Sequence, residues 1–61
     1  MMARPCMIGE IRDMIERLHD EGRFAEVAHI MGDVDRFNFS GVPDILVQQI
    51  YQSLQRLRGN A

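Results

Sequence analysis

Apolar residues recur along the chain in two long stretches with helical spacing. Ile8, Ile11, Ile15 and Leu18 step by three, four and three, with Met7 and Met14 widening the stripe, the pattern of a helix that buries one face. The intervening positions carry Glu10, Asp13, Arg17 and Asp20. Asp13 precedes Arg17 by four residues, the favourable order for an ion pair along a helix. The spacing predicts a helix over residues 7–21, ended by Gly22, since the residue past a helix often adopts the left-handed conformation that glycine enters cheaply. Val47, Ile50, Leu54 and Leu57 repeat the same steps, with Leu46 and Tyr51 alongside. They predict a helix over 43–58, opened by Pro43 in its first turn, with Ser40 or Val42 as cap and Asp44 beside the positive end of the helix dipole.

Between these stretches, Phe24, Val27, Ala28 and Met31 fall at i, i+3, i+4 and i+7, which predicts a short helix over 23–31. A helix of about two turns is marginal alone in water, so it must dock on its neighbour, and Gly22 makes the first two helices a hairpin. Residues 32–42 have no helical period. Phe37 and Phe39 alternate there with polar residues, and both are expected to fold back onto the helices and anchor this long connection. The fold expected is all-α, one domain over 1–61 made of a helical hairpin and a third helix after a Phe-containing loop. The run Leu18-His19-Asp20-Glu21-Gly22-Arg23-Phe24-Ala25-Glu26-Val27-Ala28 resembles the inter-helix turn of tetratricopeptide-type repeats. It has no second copy, and such arrays need about three repeats to be stable, so the resemblance implies no function.

Composition adds a constraint on stability. A chain of 61 residues buries only about 60 % of the surface it exposes when unfolded, which argues against a deep enzyme cleft. Its composition, 46 % hydrophobic and 26 % charged, is that of a globular domain. Cys6 is the only cysteine, so no intrachain disulfide can supplement the core, and a reducing, cytoplasmic setting is expected. Association is the expected supplement: a dimer formed through the two seams, Ile8, Ile11, Ile15 and Leu18 on the first helix and Val47, Ile50, Leu54 and Leu57 on the third. No apolar run approaches the ~18 residues of a membrane span, and the stretch from Met1 to Gly9 lacks the apolar segment of a secretory signal.

The net charge of −2 is no footprint for nucleic acid, and its distribution is uneven. Residues 1–31 hold six acids against four arginines, whereas 32–61 hold three of each. All seven basic residues are Arg.

Several constellations bear on chemistry. Glu16-Arg17-Leu18-His19 and Glu26-Val27-Ala28-His29 repeat the Glu-x-x-His unit of di-iron bundles, but at 100° per residue both pairs turn away from the apolar stripes. Asp33-Val34-Asp35 opens like a calcium loop and then fails, with Phe37 at a ligand position and Asn38 in place of the turn glycine. Cys6 follows Pro5 with no Gly-rich elbow near it, so a buried or incidental thiol is expected. These features predict neither enzyme, cofactor nor metal.

The most distinctive polar surface lies on the third helix, where Gln48, Gln49, Gln52, Gln55 and Arg56 face away from the seam almost without charge. Gln and Arg can read base edges, so a helix-turn-helix-like DNA-binding regulator is one reading. Eleven residues separate the second and third helices, against the three or four of that motif. The reading favoured is a small self-associating protein-interaction module, acting as an adaptor, inhibitor or regulatory subunit, with those five residues as the partner surface.

Overall fold

The computed structural model describes residues 3–59, so Met1, Met2, Asn60 and Ala61 of the expected domain lie outside the described residues. Three helices follow one another: α1 over Arg4–Asp20, α2 over Phe24–Met31 and α3 over Asp44–Gly59. Among the described residues there is no strand, only an isolated bridge between Asp35 and Asn38. None of these helices is long and apolar enough to cross a membrane.

Helix α1 begins at Arg4, three residues before the expected start at residue 7, with Pro5 in its first turn. There a missing N–H costs nothing and the fixed φ suits the helix. At its other end, Arg23 N–H donates to the Leu18 carbonyl and Gly22 N–H to the His19 carbonyl, each at 2.9 Å. Gly22 has φ 79°. This paired closure with a left-handed residue is the Schellman arrangement. It turns the chain straight into α2. Helix α3 starts at Asp44, and the carbonyl of Pro43 accepts the amides of Leu46 and Val47. Pro43 thus occupies the position expected of Ser40 or Val42, and the Ser40 amide is spent on Asn38 Oδ1.

The core takes up most of the two expected assembly seams within one chain. Ile11, Met14, Ile15 and Leu18 of α1 meet Val47, Ile50 and Leu54 of α3, with Val27 and Met31 of α2 closing one end and Phe39 inserted from the loop. Six of the eight residues expected to join two chains, Ile11, Ile15, Leu18, Val47, Ile50 and Leu54, are buried within one, and Ile8 and Leu57 are half-buried against them. The two seams satisfy each other. Each buried aliphatic side chain contributes about 1.5–3 kcal/mol by leaving water, so a single chain captures the gain that had been assigned to a dimer.

The connection between α2 and α3 is held chiefly by arginines. Arg12 Nε donates to the Arg36 carbonyl at 2.8 Å and its Nη2 to the Phe37 carbonyl at 3.3 Å. Arg4 Nη2 donates to the Phe39 carbonyl at 2.6 Å. Within the loop, Asp35 Oδ1 accepts the Phe37 amide and Asn38 Oδ1 the Ser40 amide, the side-chain turns that Asp and Asn favour. Only one of the two phenylalanines anchors it. Phe39 is 4 % exposed, whereas Phe37 is 66 % exposed and lies under the Arg36 guanidinium, 4.7 Å from Cζ to ring centroid. Cation–π stacking rather than burial holds that ring.

Candidate functional site on the outer face of α3

With Val47, Ile50 and Leu54 committed to the core, the 100° step of the helix carries Ile45, Gln48, Gln52 and Gln55 to the opposite side. They recur at three, four and three and all are exposed. Ile45, at 63 % exposure, is among the most accessible large apolar residues. From Ile45 to Gln55 the helix contains no Asp, Glu, Lys or Arg, and Asp44 and Arg56 bound that run.

This face borders a trough between the first turn of α1 and the first three turns of α3, about 420 Å³ in volume, lined by Arg4, Met7, Asp44, Ile45, Gln48, Tyr51, Gln52 and Gln55. Arg4 closes one end by pairing with Asp44 Oδ1. A short polar relay marks the other: Gln55 Nε2 donates to Tyr51 Oη at 3.0 Å, and Tyr51 Oη donates to Glu10 Oε2 at 2.7 Å. The bond to Glu10 raises the Tyr51 pKa, with desolvation and the carboxylate charge adding to it, because each favours the neutral phenol. The trough therefore has an apolar floor from Met7, Ile45 and Tyr51, a rim of amides, and ends whose charges are paired or hydrogen-bonded.

Of the five expected partner residues, Gln48, Gln52 and Gln55 line the trough, while Gln49 and Arg56 are exposed on the same helix outside it. The sequence pattern passed over Arg4, Met7, Ile45 and Tyr51. Ile45 carries a usable signal, standing three residues, about one helical turn, before Gln48 on the polar side.

The remaining candidates are placed elsewhere. The His19 ring packs 4.8 Å from that of Phe24, and its Nδ1 lies 3.1 Å from Arg36 Nη1. Glu26 is bonded to Arg23 at 2.8 Å. That bond holds the Glu26 carboxyl below its ordinary pKa and raises that of Arg23. Among the described residues no three His, Cys, Asp or Glu side chains gather at one point. Asp35 is engaged in its own loop turn, and Cys6, expected as a buried or incidental thiol, is exposed. Helices α2 and α3 are separated by residues 32–43, longer than the turn of a helix-turn-helix.

No protein-family profile matches the chain, and no curated protein or solved structure is significantly similar to it.

Proposed function

We propose that the protein is a small protein-interaction module, acting as an adaptor, inhibitor or regulatory subunit, and that its working surface is the outer face of α3 with the adjoining trough. The observation that carries this reading is the uncharged run from Ile45 to Gln55, whose outward residues Ile45, Gln48, Gln52 and Gln55 are all exposed. Charged side chains are depleted at the centres of protein interfaces, because stripping their water is costly, whereas Met and Tyr are enriched there. Gln can donate and accept, so its amide loses little when a partner's polar groups replace water. Ile45 supplies the apolar anchor, Met7 and Tyr51 the wall beside it.

The test is affinity capture from nuclease-treated lysate with three baits: wild type, Ile45→Glu/Gln52→Glu, and Glu16→Lys as a control on a different helix. Proteins retained by the wild type and the control, and lost with the α3 variant, support the reading. Retention that is identical on all three baits overturns it. So does retention of duplex DNA that weakens steeply with salt and depends on Gln48 and Gln52, the behaviour of a DNA-binding regulator.

A further inference from the structure

We infer that the occupant of this face is a second copy of the chain, docked so that the two α3 helices run antiparallel about a two-fold axis. The inference rests on the reading of α3 as the working surface and names what covers it. Ile45, Gln48, Gln52 and Gln55 have the three-four-three spacing of a helix-pairing seam. In an antiparallel pair centred at the level of Ile50, Gln48 of one copy lies opposite Gln52 of the other, and Ile45 opposite Gln55. A two-fold interface presents one surface to itself and must be self-complementary. Amides satisfy that condition, because each is both donor and acceptor. Ile45 of each copy then covers the Tyr51–Gln55 end of the other's trough.

Charge selects the direction of pairing. By helical angle, Asp44, Tyr51 and Arg58 lie along the flank of the seam that borders the trough. About the two-fold axis of an antiparallel pair each flank meets the same flank of the other copy, so Asp44 of one chain falls beside Arg58 of the other, twice. The centre of that pair, Tyr51, is within one residue, about 1.5 Å of helix rise, of the centre of the amide layers. Asp44 is open to such a contact: its side chain is 80 % exposed and its bond to Arg4 uses Oδ1. Arg58 is exposed and forms no ion pair with another described residue. Parallel pairing would instead bring each flank against the opposite flank of the other copy, setting Asp44 near Gln49 and Arg58 near Arg56, so that neither Asp–Arg pair forms. Three of the four seam positions are polar, which fixes direction and register at a cost in strength, so the dimer is weak.

Sedimentation equilibrium on the full chain tests this, over about 10 µM to about 1 mM to reach weak affinities. The wild type is expected to shift from monomer to dimer across that range. Gln48→Glu/Gln52→Glu places like charges opposite each other in the antiparallel layers and should weaken the dimer at least ~10-fold. Gln48→Glu/Gln52→Lys places Glu opposite Lys only when the helices are antiparallel, and should dimerise at least as well as the wild type. Both variants lie on the exposed face and should keep the wild-type circular dichroism. A monomeric wild type throughout, or a Glu/Lys variant as weak as the Glu/Glu variant, overturns the inference. If the wild type is monomeric yet α3-dependent capture of another protein persists, the second copy is the wrong occupant and the interaction module stands. If capture also fails to depend on α3, both fall.

Discussion

Arg12 Nε and the backbone carbonyl of Arg36 are joined at 2.8 Å across 24 positions of sequence. The same guanidinium reaches the next carbonyl, at Phe37, so one planar fork holds a loop tip that buries only one of its two phenylalanines. Arg4 does likewise at Phe39, and Arg23 Nη1 reaches the Leu57 carbonyl at the end of α3 at 3.4 Å. Three of the seven arginines therefore tie backbone carbonyls far away in sequence. A single ammonium could not match the fork geometry, which gives the all-Arg basic set a structural use.

Replacing Arg12 tests that use. Arg12→Ala should lower stability by about 0.5–1 kcal/mol, the net worth of a solvent-accessible hydrogen-bonded clamp. Arg12→Lys should recover less than half of that. Urea unfolding followed by circular dichroism measures both, and a Lys variant as stable as the wild type would contradict the fork account.

Tyr51 offers a pH readout free of interference, because it is the only tyrosine and the chain has no tryptophan. Its pKa is raised by the bond to Glu10. A group raised in the folded state binds its proton more tightly there than in the unfolded chain. Its stabilising contribution is therefore complete below the unfolded value of about 10 and is lost as pH rises through the folded value. Phenolate absorbance in an alkaline titration should show a midpoint above that of free tyrosine, and Glu10→Gln should bring it down. An unchanged midpoint in Glu10→Gln would remove Glu10 as the cause.

The core and the outer face of α3 should respond oppositely to truncation. Leu54→Ala removes a side chain with no exposed surface and should cost about 2–5 kcal/mol, a large part of the stability of so small a domain. Ile45→Ala, on the exposed face, should change stability by no more than about 0.5 kcal/mol while weakening association. Thermal unfolding separates the two. Comparable losses would mean that Ile45 belongs to the core.

What the sequence discloses and what it withholds divide along a physical line. Periodicity reports which residues share a face, and it located all three helices and the stop at Gly22. It does not report what that face meets. The seams of α1 and α3 are equally consistent with pairing between chains and within one, and only the packing shows that Ile15 and Leu54 belong to the same core. Alternation at Phe37 and Phe39 would place both rings on one side of an extended segment, but the side-chain turns at Asp35 and Asn38 bend the chain there, so Phe39 is buried and Phe37 is left outside under Arg36. The start of α1 escaped because Arg4, Pro5 and Cys6 carry no apolar period. The Gln row of the candidate surface was legible, being exposed and local. Its trough was not, because Arg4 and Asp44 are 40 residues apart and Glu10 and Tyr51 41.

The central claim, that the outer face of α3 is where this molecule meets other chains, is tested most directly by amide chemical-shift mapping. The uniformly ¹⁵N-labelled chain would be followed on concentration and on addition of any captured partner. The account predicts progressive shifts at Ile45, Gln48, Gln52 and Gln55, extending to Met7 across the trough, while the amides of Ile15 and Leu54 stay in place. Spectra unchanged under both conditions, or shifts centred on Phe24 and Phe37 instead, would contradict it.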